Sequence, residues 1–288
     1  MTRPMVSVPG RPFEMGSNTH YPEERPQHRA TVKPFNIDPC AVTNAEFAQF
    51  AQATGYETTA ETPIDPDISS GMPPEYFAVG SLVFQITDGP VDLSDFRNWW
   101  AFVPGTDWRH PEGPDSSITD RMDHPVVQVS LHDALAYAAW AGKSLPREAE
   151  WEFAARDGVY TTYPWGDELT PDGKIYANTW QGAFPWQIEM VSDAPFSVPA
   201  DAFEPSRYGL FNMIGNVWEW TLDEFKAAHD PGKSCCTPAR AVGSTNYVVK
   251  GGSFLCAPSY CKRYRASARS PQEARSSTNH LGFRCVKR

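Results

Sequence analysis

Apolar periodicity marks three helices along the chain. Thr43 opens the first as a capping box with Glu46, with Phe47, Phe50 and Ala51 on one face and Gly55 as the stop. The second follows Ser130, with Asp133 three residues on, then Ala134, Leu135 and Ala138, and a stop at Gly142. Pro146, suited to a first helical turn, opens the third, which runs through Trp151 and Ala155 to Gly158. All three stripes are core. Short apolar runs at 5–8, 247–250 and 282–286 predict strands, separated by stretches rich in Gly, Pro, Asn and Asp. From 63 to 125 and from 163 to 207 no period persists, and loops that long in a compact domain are usually functional or ligand-tied. Two segments, EAEWEFAARDG and GNVWEWTLDEF, look alike but are too short for a repeat. With no composition break to mark a linker, the expectation is one α+β domain over 1–288, with little regular secondary structure and long loops.

Composition narrows the class. The 288 residues are 41% hydrophobic and 21% charged, which supports a large core and excludes global disorder. No run approaches the roughly 18 apolar residues of a membrane span, and the first ten residues have no apolar stretch suited to a signal peptide. The expectation is a soluble, cytoplasmic protein with no membrane partner. A net charge of −10 argues against a nucleic-acid partner, because phosphate neutralisation needs basic surface. The charge is uneven: residues 250–288 hold nine Lys/Arg and one acid, Glu273. That segment either packs against acidic neighbours or surrounds something anionic.

Candidate chemistry centres on the cysteines. The chain has six: Cys40, Cys235, Cys236, Cys256, Cys261 and Cys285. None forms a zinc-type CxxC pair, and no two histidines are three or four residues apart. The close pairs are vicinal Cys235–Cys236 and the CxxxxC of Cys256 and Cys261. Neither a straight strand nor a helix brings the latter two sulfurs together, but Pro258 between them favours a turn that can. Two sulfurs across one metal need about 4.5 Å, from metal–thiolate bonds near 2.3 Å. A thiolate-only site suits Cu(I) or zinc, and two ligands are too few for a closed zinc site. Lys262, Arg263 and Arg265 favour thiolate over thiol. By spacing alone the pair is equally two unrelated thiols or a plain disulfide.

Read end to end, the chain resembles the formylglycine-generating enzyme (sulfatase-modifying factor) family. The matching pieces include MVSVPGRPFEMGS, VTNAEFAQFAQATGY, WRHPEGPDSSI, HPVVQVSLHDALAYAAWAGKSLPREAEWEFAARDG, YPWGDELTP, YGLFNMIGNVWEW, KGGSFLCAPSYCKRYRASAR and LGFRC. The helical and GNVWEW pieces are shared by many relatives of C-type-lectin-like fold, so they specify fold more than function. The GGSFLCxxSYCxRYR segment is narrower and resembles the active-site strand of the copper-dependent oxidases.

The resemblance implies an oxidase that uses O2 and a thiol reductant to convert a cysteine, in a CxPxR sequence of an unfolded sulfatase, to Cα-formylglycine. Cys256 and Cys261 would hold Cu(I), and Trp218, Ser253, Tyr260, Ser277 and His280 would line the substrate groove. It also implies structural Ca2+ at Asn212, Gly215, Val217 and Glu219, with a second site at Asn178, Thr179 and Asp193, where the usual EDGF-like stretch reads EMVSDAPF. Singly, each residue has a duller role: Trp218 and Trp220 as core aromatics, Ser253, Ser277 and Asn212 as turn caps, Tyr260 as a buried phenol, His280 as a satisfied imidazole.

The stretch SPQEARSS stands where the family tends to have an NTPDSS-like sequence, which sets Arg275 near the expected groove. That departure motivates the alternative, a catalytically silent peptide- or glycan-binding module of the same fold. An iron-dependent sulfoxide synthase would need clustered histidines, which the chain lacks. The cysteines of secreted relatives fall on Ala138, Ala155 and Ala266, leaving Cys285 without its usual partner, as suits a reducing cytosol.

Overall fold

Helix α1 (Asn44–Thr54) starts where the capping box predicts: Glu46 N–H donates to Thr43 Oγ1 at 3.3 Å and Thr43 N–H to the Glu46 carboxylate at 3.0 Å. Gly55 closes it at φ 66°, a left-handed conformation that glycine takes without strain. Helix α2 (Leu131–Trp140) has the same device at Ser130 and Asp133. Helix α3 (Glu148–Ala155) starts two residues later than Pro146 suggests, because extended Arg147 takes the cap position and donates its N–H to Glu150 at 2.8 Å. The computed structural model describes residues 3–63, 78–189, 196–230 and 246–288. Cys235 and Cys236 lie outside the described residues, as does Asp193.

Among the described residues eleven short strands accompany the helices: β1 (Val6–Val8), β2 (Pro12–Met15), β3 (His28–Thr31), β4 (Phe35–Ile37), β5 (Gly80–Phe84), β6 (Trp100–Pro104), β7 (Trp218–Glu224), β8 (Asn246–Lys250), β9 (Arg269–Glu273), β10 (Leu281–Gly282) and β11 (Val286–Lys287). A three-stranded sheet of order β1-β4-β11 ties the two ends of the chain together, Val6 and Val286 both opposite Ile37. A four-stranded sheet of order β10-β7-β8-β9 supports the site, and β2-β3 and β5-β6 are hairpins.

The single strand expected over 282–286 is two strands in different sheets. The chain leaves β7 after Gly282 and reaches β4 at Val286; between them Arg284 turns inward onto Glu219 at 2.7 and 2.8 Å. The expected aperiodic stretch 63–125 contains the β5–β6 hairpin. The two look-alike segments diverge into α3 and β7.

Among the described residues four apolar clusters result, the smallest being Ala41, Val127 and Val217. Helices α1 and α2 pack Phe47, Phe50 and Tyr137 against Trp220 and Phe283. Trp151 and Phe153 of α3 cover β1, β2 and β4. A smaller aromatic cluster of Phe84, Trp99, Trp180, Phe184 and Phe254 lies beside the dithiol segment. The basic C-terminal segment packs against acids: Lys250 on Glu152 at 3.1 Å, Arg263 on Glu23 at 2.6 Å, Arg265 on Glu24 at 2.7 Å, Arg269 on Glu148 at 2.8 Å and Arg288 on Glu150 at 2.7 Å.

Candidate active site

Strand β8 delivers the chain to Gly251 and Gly252, where the backbone turns with φ of 93° and 75°. A Cβ on Gly252 would stand 2.9 Å from the Tyr264 backbone, so the close return of the chain requires glycine there. The next residues are tied to their neighbours by main-chain bonds: Gly215 N–H to Gly251 C=O, Phe254 N–H to Asn216 C=O, and Trp180 N–H to Cys256 C=O, at 2.9, 2.9 and 3.1 Å. The Pro258 turn forms as expected, closed by Cys261 N–H donating to Ala257 C=O at 3.0 Å. It sets the sulfurs of Cys256 and Cys261 3.1 Å apart. That is shorter than the roughly 4.5 Å for sulfurs on opposite sides of one ion and longer than the ~2.05 Å of a disulfide. It fits a thiol donating to a thiolate.

The two thiols are not equivalent. The hydrogen bond from Cys256 holds Cys261 below the usual thiol range against its burial, and the Arg263 guanidinium adds to this. Cys256 is raised well above it by burial and by that same bond to its partner, although Ser253 N–H donates to its sulfur at 3.4 Å. Of the two, Cys261 is therefore the one favoured as thiolate and Cys256 the one favoured as thiol. Arg263 is fixed behind Cys261 by Glu23 and by the Tyr21 ring, 3.9 Å below its guanidinium. Lys262 is exposed and Arg265 is engaged by Glu24, so of the three cations near the motif only Arg263 serves the thiolate.

Cys256 and Cys261 both line a cavity of about 320 Å³. Trp218, Ser253, Tyr260 and His280 line it, as expected. Trp218 is 5% exposed, at the edge of the core, whereas Trp220 is wholly buried with its indole N–H on Val129 C=O. Ser253 Oγ accepts from Leu255 N–H at 3.2 Å. The His280 ring lies 4.9 Å from that of Trp100; burial pushes its imidazole down to about 3, and Nδ1 has no hydrogen-bond partner. Ser277 is not on the wall: its hydroxyl and carbonyl are taken by Ser81 of β5 at 2.6 and 2.7 Å. Arg275 is not on the wall either; its backbone N–H donates to Glu273 just beyond β9. The altered SPQEAR stretch nevertheless reaches the cavity through Ser270 and Gln272 of β9, which line it.

Much of the wall comes from the stretches that showed no period. Leu82, Phe96, Trp99 and Trp100 belong to the β5–β6 region, and Phe184 stacks on Tyr260 at 4.8 Å and 2°. The one available signal was aromatic density, as in FRNWWAF.

The residues expected at calcium sites lie beside the dithiol segment. Asn178 and Asn212 each leave a buried Oδ1 without a partner. Gly215 approaches so closely that a Cβ would sit 2.4 Å from Asn178 C=O. Thr179 is buried with its Oγ1 taken by Gln181, and Val217 is core. Glu219 is already shared: Arg284 grips both oxygens and the Trp151 indole N–H donates at 2.7 Å. Each waiting amide oxygen is a donor of the kind a hard cation takes, whereas the Glu219 charge is already balanced by Arg284. Among the described residues no group of three or more His, Cys, Asp or Glu side chains could hold a metal.

The chain matches the sulfatase-modifying factor enzyme 1-like domain over residues 1–288. It is 50% identical to the formylglycine-generating enzyme of Mycobacterium tuberculosis, over 99% of this chain and 98% of that one. It is 45% identical to the formylglycine-generating enzyme of Thermomonospora curvata, over 98% and 92%. Among solved structures, PvdO from Pseudomonas aeruginosa shares the fold with a TM-score of 0.67 at 23% identity, covering 98% of this chain and 93% of its own.

Proposed function

The chain belongs to the sulfatase-modifying factor enzyme family, whose domain matches residues 1–288, and on that premise we propose how its residues convert a sulfatase cysteine to Cα-formylglycine. The co-substrates are O2 and a thiol reductant. The atoms balance as one substrate CH2–SH, one O2 and two reductant thiols giving the aldehyde, hydrogen sulfide, water and one disulfide.

Cys256 and Cys261 are the residues that would hold copper(I): two soft donors side by side, with no third thiol or imidazole among the described residues to close the site. Bound there, copper(I) would supply O2 activation and affinity for the substrate thiolate. The protein supplies the rest. Arg263 balances the charge of the Cys261 thiolate. Trp218, Trp99 and Phe184 exclude water from the reacting cysteine and give its backbone an apolar wall to lie on. His280, on the cavity wall, stays neutral at physiological pH and adds no second positive charge. The Ser253 hydroxyl accepts from Leu255 N–H and hydrogen-bonds the Cys256 sulfur, favouring its charged form against burial.

The observation that carries this is the 3.1 Å dithiol lining an aromatic cavity. Replacing either Cys256 or Cys261 with Ser should lower formylglycine yield from a CxPxR peptide at least 100-fold; parental turnover in either variant overturns it. Calcium is proposed at two separate sites, one at Asn212, Gly215, Val217 and Glu219 and a second at Asn178 and Thr179 with Asp193, and bound Ca2+ would raise the melting temperature relative to an EGTA-treated sample. We place the reaction in a reducing, cytoplasmic setting, supported by four free described cysteines, Cys40, Cys256, Cys261 and Cys285.

A further inference from the structure

Around the cavity mouth the surface is apolar beyond what the reacting atoms need. Among the described residues, seven large hydrophobic side chains are exposed, and four of them converge here: Ile86 (47%), Phe96 (56%), Trp186 (37%) and Tyr260 (38%). Phe96 and Tyr260 line the cavity itself. Ile86 follows β5 and is bracketed by two main-chain bonds, Gln85 N–H to Trp99 C=O at 2.8 Å and Thr87 N–H to Pro185 C=O at 3.3 Å. Trp186 is next to Pro185, and the preceding Phe184 stacks on Tyr260. The four side chains thus stand on segments bonded to one another and continuous with the cavity wall. Single exposed hydrophobes are ordinary, but a group of them at one mouth marks an interaction surface.

Several acids on these segments stand outside any ion pair. Asp88, Asp92 and Glu189 form no ion pair among the described residues, while Arg97 is folded onto Asp95 at 2.7 Å. An apolar surface with acidic neighbours suits an extended peptide with apolar side chains and no acids.

We propose that Ile86, Phe96 and Trp186 form a shelf that binds the residues flanking the reacting cysteine and selects substrate segments whose flanks are apolar. The proposal rests on the oxidase reading for the identity of the peptide. Its consequence is selection by folding state: apolar flanks are accessible in an unfolded sulfatase and buried once it folds.

The test is binding, so it does not depend on turnover. Fluorescence anisotropy is measured with non-reacting peptides carrying STPSR between Leu/Val flanks or between Asn/Ser flanks. Burial of one Leu-sized side chain predicts roughly tenfold tighter binding of the apolar peptide. In the double variant Ile86→Ser/Trp186→Ser that preference should fall below about twofold, while Tyr160→Ser, an exposed aromatic elsewhere, retains it. Equal affinities in the parent, or a preference that survives the double variant, overturns the shelf. So does light scattering that shows the double variant dissociating a parental dimer with peptide affinity unchanged, since the shelf would then join two copies of this chain. A measured preference without conversion of the matching CTPSR peptides would instead count against the oxidase reading and leave the shelf standing.

Discussion

Glu24→Ala tests how the dithiol loop is held. Glu24 is wholly buried in the turn between β2 and β3, and Arg265, 2% exposed by side chain, donates to both its oxygens at 2.7 and 2.8 Å. Ser267 adds a third bond at 2.7 Å. Burial by itself would raise the Glu24 pKa, but the Arg265 bonds and charge and the Ser267 hydroxyl bring it below the usual carboxylate value. In Glu24→Ala the guanidinium stays buried, with the Lys262 carbonyl at 3.2 Å among its few acceptors left. An uncompensated buried charge costs about 3–5 kcal/mol, against a total stability on the order of 5–15 kcal/mol. At about 2–3 °C per kcal/mol for a chain of this size, the melting temperature should fall by roughly 6–15 °C. Thermal unfolding followed by circular dichroism reads this directly. The companion Glu24→Leu/Arg265→Met should recover to within about 2 kcal/mol of the parent, because a well-packed apolar pair replaces a buried ion pair at little cost. A Glu24→Ala protein melting within 1 °C of the parent, or a double variant no better than the single one, refutes the reasoning.

Other consequences are equally concrete. At pH 7.5, iodoacetamide followed by peptide mapping should label Cys261 at least tenfold faster than Cys256, because the first is held towards thiolate and the second is buried and protonated; equal labelling contradicts the assignment. Although wholly buried, Glu152 is held down to about 2 by Lys250 and Arg156, so its folded pKa lies below its unfolded one. Its stabilisation is then present above an unfolded value near 4.3 and disappears as pH falls towards about 2. The melting-temperature gap between the parent and Glu152→Gln should accordingly be widest at neutral pH and close on acidification, and a gap that widens instead has the wrong sign. Gly215 stands at φ 74° with no room for a Cβ beside Asn178 C=O, so Gly215→Ala should destabilise by at least about 1–3 kcal/mol in urea titration; an unchanged midpoint refutes that constraint.

Where one local rule settles the conformation, the sequence predicts it. Thr43–Glu46 and Ser130–Asp133 announce their helices because a capping box is complete within four residues. The dithiol turn was legible for the same reason, through Pro258 and a five-residue span. Long-range pairing was not. The hairpin of β5 and β6 joins residues across a connection of 15 residues, and the half-buried β6 shows no alternation to betray it. WEFAA and WEWTL carry nearly the same letters, yet the first is helix α3 and the second strand β7, decided by partners distant in sequence. Ser277 and Arg275 were placed near the groove by motif position, and a hydroxyl pair with Ser81 and the path of the chain after β9 direct them elsewhere. The aromatic wall was hidden for the same reason as the hairpin that carries it.

The most direct measurement is mass spectrometry of a CTPSR-containing peptide incubated with the protein, Cu(I), O2 and a thiol reductant, with and without the metal. The account predicts conversion of the cysteine side chain to an aldehyde, detectable as a loss of mass, together with released sulfide, and only when copper is present. An unchanged peptide with copper demonstrably bound at Cys256 and Cys261, or conversion undiminished without copper, would contradict it.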